Sequence, residues 1–145
     1  MATTKVYSYL LEAAFDKELD ILADTIKVAL VTSSYTPDQD ADNYWDDVVA
    51  NEVTGTGYTA DGATLTTPTF GYTTGTNVWK FDGDDVSWAT STITARYAVI
   101  YDSTPGTDAT NPLIAYVDFG TNQSSSAGTF SVQWSANGIF TLTVD

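Results

Sequence analysis

Short runs in which apolar and polar residues alternate fill the chain from Ala63 onward, and this period of two constrains the fold more than any other feature. Clusters of Gly, Asp, Asn, Ser and Thr separate the runs, as expected of turns between strands. Strands are predicted at residues 63–72, 76–82, 85–88, 92–101, 112–119, 127–134 and 138–144. Such a succession, without a second long helical pattern, predicts a mainly β fold: an antiparallel β-sandwich or jelly-roll-like domain.

The N-terminal residues differ, because their apolar side chains recur at helical spacing. This spacing predicts one N-terminal α-helix at about residues 6–17, with Thr3 or Thr4 as its N-cap. The predicted packing face of this helix consists of Leu10, Leu11, Ala14 and Phe15. No linker or shift in composition divides the chain, so we expect residues 1–145 to form a single β-rich domain.

Four local patterns refine this outline. Residues 25–33 are rich in β-branched side chains and predict a strand, with Ile26, Val28 and Leu30 on one face and Lys27, Ala29 and Val31 on the other. A short helix capped by Asn43 is expected after an acidic loop. Pro68 cannot donate a backbone hydrogen bond, which predicts a sheet edge or an extended arm for strand 63–72. Residues 82–85, Asp-Gly-Asp-Asp, are predicted to form the turn of a β-hairpin.

The charge balance and two missing residue types exclude several classes of function. Five basic and 19 acidic residues give a net charge of −14, which would repel nucleic acid and an anionic membrane surface. The chain contains no histidine and no cysteine. It therefore lacks a Ser-His-Asp triad, thiol catalysis and His or Cys metal ligands, and no enzymatic activity is predicted. Neither a signal peptide nor a membrane-spanning run is predicted.

The acidic loop at residues 35–47 raises the question of a calcium site. Asp38, Asp40 and Asp42 occupy positions 1, 3 and 5 of an EF-hand-like pattern. Asn43 and Val49 stand where this pattern requires glycine and glutamate. An irregular Ca²⁺ site remains an alternative, but the favoured interpretation is a solvated acidic loop. Neither a metal ion nor a cofactor is predicted.

Hydrolysis by a pair of carboxylates would need neither histidine nor cysteine. The chain has three glutamates, Glu12, Glu18 and Glu52, and all lie on or beside predicted helices. No carboxylate is predicted among strand aromatics, where an apolar cleft would raise its pKa. Ordinary surface carboxylates are the favoured interpretation.

The four tryptophans and nine tyrosines could form either a sugar-binding platform or buried packing. Alternating positions around Trp79 and Trp134 favour the core or a subunit interface over a sugar platform for the tryptophans, which are Trp45, Trp79, Trp88 and Trp134. Arg96 is the only arginine and lies within an apolar run. It is expected to pair with a carboxylate, either within the fold or across an interface.

Four segments resemble a family of small structural proteins in the virions of tailed bacteriophages. They are residues 24–65 (beginning DTIKVALVTSSYTPDQD), 81–104 (FDGDDVSWATSTITARYAVIYDST), 112–120 (PLIAYVDFG) and 128–142 (GTFSVQWSANGIFTL). The resemblance covers most of the chain and implies a non-enzymatic decoration or cement protein on the exterior of the capsid. It further implies the major capsid protein as partner, assembly in the host cytoplasm and a homo-oligomer, expected to be a trimer. It implies no catalytic residue.

Two alternatives stay open. One is a tail or fibre component that binds carbohydrate on the host surface, for which Trp45 or Trp79 would have to form an exposed platform. The other is a carboxylate-dependent hydrolase of the cell wall, which is the least favoured because no carboxylate pair is apparent.

Overall fold

Two antiparallel sheets built from eight strands make up most of the structure, a computed structural model that describes residues 1–145. The strands are β1 (Thr3–Val6), β2 (Ile26–Val31), β3 (Ala63–Thr64), β4 (Thr69–Thr73), β5 (Val78–Asp82), β6 (Val86–Asp102), β7 (Leu113–Val132) and β8 (Phe140–Thr143). One α-helix, α1 (Tyr9–Phe15), lies near the N-terminus, and short 3₁₀ turns occupy Trp45–Asp47, Val49–Asn51 and Asp108–Thr110. The predicted mainly β fold with one N-terminal helix is confirmed.

The larger sheet has five strands in the order β1-β7-β6-β2-β3, and the smaller has three in the order β4-β5-β8. Strands β6 and β7 form a long antiparallel pair at the centre of the larger sheet. The alternation predicted for β2 is confirmed, because Ile26, Val28 and Leu30 belong to one hydrophobic cluster and Ala29 and Val31 to another. Both faces of the larger sheet are therefore covered.

The two clusters divide the core into two layers. The larger cluster includes residues of β2, β6 and β7, together with Phe81 and Phe140 of the smaller sheet and Leu10 of α1. The second cluster includes Trp45 and Val48, which reach the opposite face of the larger sheet from the loop and 3₁₀ turns after β2. The acidic segment is thus anchored on the sheet through its apolar residues.

The predicted bounds and packing face of the N-terminal helix are partly wrong. Residues 3–6 form β1, because they pair with β7 from Ala115 to Asp118, and the helix begins only at Tyr9 after Ser8. It ends at Phe15, and Lys17 follows with a left-handed φ of 64°. Leu10 and Ala13 are buried, whereas Leu11, Ala14 and Phe15 are exposed. The short helix thus leaves half of its apolar residues unpacked.

The region around Pro68 confirms one prediction and corrects another. Pro68 lies between β3 and β4, so the strand predicted at residues 63–72 is divided between two sheets, although each part lies at a sheet edge as predicted. Residues 82–85 do not form a hairpin turn, since β5 and β6 belong to different sheets. Residues 82–85 instead connect the smaller sheet to the larger sheet. The backbone N–H of Asp84 donates a hydrogen bond to the carbonyl of Thr66 at 2.9 Å, which holds this connection in place.

The segment predicted as a turn at residues 120–128 lies inside β7, so the two predicted strands around it are one continuous strand. Likewise, the strands predicted at residues 85–88 and 92–101 are parts of one strand, β6, which begins at Val86. Hydroxyl pairs connect the two strands: Ser91 Oγ lies 2.7 Å from Ser125 Oγ, and Thr94 Oγ1 lies 2.7 Å from Ser124 Oγ. Shifts of register accommodate the serine-rich sequence as bulges rather than as a turn.

Candidate functional site

The acidic loop uses its carboxylates to organise its own backbone. Asp38 Oδ1 accepts hydrogen bonds from the backbone N–H groups of Asp40 and Ala41, and Asp42 Oδ2 accepts one from the N–H of Asp38. The hydroxyl of Tyr35 also donates to Asp42 Oδ2, at 2.5 Å. No group of three or more acidic side chains that could hold a metal ion occurs in the structure.

The three glutamates lie in different environments. Glu12 is exposed on α1, while Glu18 accepts hydrogen bonds from the hydroxyls of Tyr9 and Tyr44. Glu52 accepts one from the hydroxyl of Tyr58 at 2.6 Å. Burial raises the pKa of Glu52, and the hydrogen bond from Tyr58 opposes part of this effect. Tyr58 lies outside the strands, so this carboxylate is not among strand aromatics, and its raised pKa comes from a loop environment that the sequence did not indicate.

Asp102 is a second carboxylate with an unusual environment, and it was not among the candidates predicted from the sequence. It is fully buried at the end of β6, where Oδ1 accepts a hydrogen bond from the N–H of Thr104 at 2.8 Å. Its Oδ2 has no hydrogen-bond partner. Burial raises the pKa of Asp102, and the charge of neighbouring Asp24 raises it further. The only signal in the sequence is that Asp102 directly follows the apolar residues Ala98–Tyr101.

The tryptophans are divided between core and surface. Trp45 is fully buried and stacks on Tyr101 with ring centroids 4.4 Å apart, which removes it as a sugar-binding platform. Trp88 is also buried, as predicted. Trp134 is half-buried, and its Nε1 donates to the carbonyl of Asp84 at 2.9 Å. Trp79 is half-buried on the smaller sheet, where its ring packs against Phe70 and the exposed Tyr72.

Arg96 forms the ion pair that the sequence predicted. Its Nε and Nη2 atoms donate to the two carboxylate oxygens of Asp118 on β7, at 2.8 and 3.2 Å. This hydrogen bond lowers the pKa of Asp118 below its usual range. The pair lies within one chain, so Arg96 is not left free for a partner.

One face of the smaller sheet carries only aromatic and aliphatic side chains. The ladder places six side chains on this aromatic face: Phe70, Tyr72, Trp79, Phe81, Phe140 and Leu142. Phe81 and Phe140 are buried in the core, but Tyr72 at the other end is 42% exposed. Trp79 packs between Phe70 and Tyr72, with ring centroids 4.9 and 5.2 Å away. The aromatic face therefore passes continuously from the core to the surface.

An apolar groove separates α1 from this aromatic face. It has a volume of about 230 Å³ and is lined only by hydrophobic side chains, including Leu11 and Phe15 of the helix and Phe70 and Leu142 of the sheet. Leu11 is 51% exposed and Phe15 is 83% exposed. Exposed apolar patches of this kind mark interaction surfaces in soluble proteins. The groove and the aromatic face form the candidate functional site.

No helix in the structure combines the length and the apolar character needed to cross a bilayer. Comparisons of the chain with family models, with curated proteins and with solved structures find no match.

Proposed function

We propose that this protein is a non-enzymatic structural protein of a tailed-bacteriophage virion, and that it decorates the outside of the capsid. The observation that carries the proposal is the resemblance of residues 24–65, 81–104, 112–120 and 128–142 to a family of such proteins. These segments contain most of the larger sheet and parts of both core layers. The proposed partner is the major capsid protein, on the exterior of a head assembled in the host cytoplasm.

Physical features of the chain are compatible with this role. The core is built without cysteine, so a decoration protein of this kind would not depend on disulfide formation in the host cytoplasm. A net charge of −14 would keep decorated heads apart and would be attracted to basic patches on a shell. A homotrimer would engage several capsid subunits at once, so a weak contact per copy could give stable attachment.

The direct test mixes the recombinant protein with undecorated heads of the phage that encodes it and measures cosedimentation. We expect saturable binding that weakens as added salt shortens the Debye length below about 8 Å. An unrelated protein of similar net charge controls for unspecific attraction. Absence of binding to heads, together with saturable binding to tail tubes or host glycans, would contradict the proposal and place the protein in the tail.

One observation favours the alternative of a tail or fibre component that binds host-surface carbohydrate. Tyr72 is exposed and packs against Trp79, and aromatic rings of this kind can stack on sugars. Trp45 is buried and cannot take part. Binding of the protein to a glycan array, lost in Tyr72→Ala, would support this alternative. Absence of enzymatic activity is likewise a proposal, which a zymogram on host cell walls tests.

A further inference from the structure

The aromatic face of the smaller sheet carries no charged side chain. Residues 62–79 and 119–144, which include β4 and β8, contain no charged side chain. In β5, Lys80 and Asp82 alternate with Trp79 and Phe81, so they lie on the face opposite to the aromatic face. Lys80 Nζ and Asp82 Oδ2 pair with each other at 3.1 Å. The aromatic face is thus an uncharged apolar surface in a chain whose net charge is −14.

This distribution of charge indicates what can cover the aromatic face. Two copies with a net charge of −14 repel each other wherever acidic surfaces meet, and they approach most easily where both are uncharged. A basic partner is attracted instead to the acidic surfaces elsewhere on the chain. Interface cores are also rich in Tyr, Trp and Phe and poor in charge, which matches Tyr72, Trp79 and Phe70.

We infer that the aromatic face and the adjoining groove bind a second copy of this chain. The inference rests on the proposed function, because it assigns the surface through which the proposed homotrimer assembles. Phe15, which is exposed beside the groove, and Tyr72, at the open end of the aromatic face, contribute to the contact. The surface for the capsid then lies elsewhere on each copy. Glu12 and Asp16, which adjoin the groove on and just after α1, leave some repulsion between copies.

The test measures molar mass by light scattering after size exclusion, and by sedimentation equilibrium, up to about 100 µM protein. The wild type is expected to form an oligomer, a multiple of 15.6 kDa. Added salt should strengthen this oligomer, because it screens the repulsion between acidic copies. Binding to shells should respond to salt in the opposite direction, so failure of self-association and failure of the proposed function are distinguishable.

Two variants locate the contact. Tyr72→Glu and Phe15→Glu each place a charge in the proposed interface and should weaken association at least about tenfold, because the charge is buried without a partner. Thr141→Glu is the matched control, since Thr141 is exposed on the opposite face of the same sheet and the change in net charge is identical. Circular dichroism checks that each variant is folded. Phe15 is mostly exposed, so Phe15→Glu should fold and tests the contact between copies even if Tyr72→Glu does not fold.

A wild type that is monomeric over this range would overturn the inference, and loss of shell binding in Tyr72→Glu would then assign the surface to the capsid. An oligomer of unchanged mass and affinity in both Phe15→Glu and Tyr72→Glu would overturn it as well. Equal weakening by Thr141→Glu would show that added charge, and not the aromatic face, governs association.

Discussion

Replacement of Asp102 by asparagine should stabilise the protein at neutral pH. Asp102 is fully buried, and its Oδ2 has no hydrogen-bond partner. Asparagine keeps the acceptor for the N–H of Thr104 but replaces the unpaired oxygen by an NH₂ group, which can donate to neighbouring Asp24. An unsatisfied buried polar atom costs about 1–3 kcal/mol, so we expect Asp102→Asn to raise the free energy of unfolding by about 1 kcal/mol at pH 7.

The sign of the pH dependence follows from the raised pKa of Asp102. The folded protein takes up a proton on this carboxyl at a higher pH than the unfolded chain, for which the pKa is about 3.9. This proton uptake therefore contributes fully to the free energy of unfolding below about pH 4, and the contribution is lost as the pH rises through the pKa of Asp102 in the folded protein. The advantage of Asp102→Asn should be largest at pH 7 and should disappear toward pH 4.

Urea denaturation followed by circular dichroism, between about pH 4 and pH 8, measures this difference. Asp40→Asn is the matched control, because it removes one negative charge from an exposed position. Subtraction of the control removes the general effect of a lower net charge. A destabilised Asp102→Asn at pH 7, or an advantage that is constant with pH, would show that the buried carboxyl does not carry the assigned penalty.

Three further outcomes test the packing and the loop. Trp45→Ala should lower the free energy of unfolding by about 3–5 kcal/mol, because the side chain is fully buried. Trp45→Phe should cost less, because Trp45 Nε1 makes no hydrogen bond that the variant would lose. A loss below about 1 kcal/mol in Trp45→Ala would contradict the assigned burial. Gly62→Ala should cost at least about 2 kcal/mol, since φ is 73° and a Cβ would lie 2.1 Å from the carbonyl oxygen of Val28. Gly75→Ala, in open space, should be nearly neutral, and equal effects would refute this argument. Excess EDTA should leave the melting temperature unchanged, and a drop that Ca²⁺ reverses would show that the loop at residues 38–42 holds an ion.

Local alternation was sufficient to predict the strand at residues 26–31, because its two faces pack against different apolar layers. The bounds of the helix could not be predicted in the same way. Residues 3–6 join a sheet only because β7 lies beside them, more than 100 residues further along the chain. The serine-rich segment at residues 120–128 was misassigned for a similar reason. Its hydroxyls pair with those of Ser91 and Thr94 across the ladder, which composition alone does not reveal.

The candidate surface could be predicted only in part. The aromatic positions of β5 were expected to lie in the core or at a subunit interface, and Trp79 lies at the border between core and surface. The exposure of Leu11 and Phe15 could not be predicted, because a helical stripe does not reveal how much of it the neighbouring sheet covers. Asp102 was missed because its burial depends on the loops around the end of β6.

The copy number of this protein on purified phage heads tests the central claim most directly. Heads separated from tails are digested, and peptides of this chain are quantified by mass spectrometry against peptides of the major capsid protein. The account predicts hundreds of copies per head, in a fixed ratio to the capsid subunits. A handful of copies, or recovery of the protein only with the tails, would contradict it.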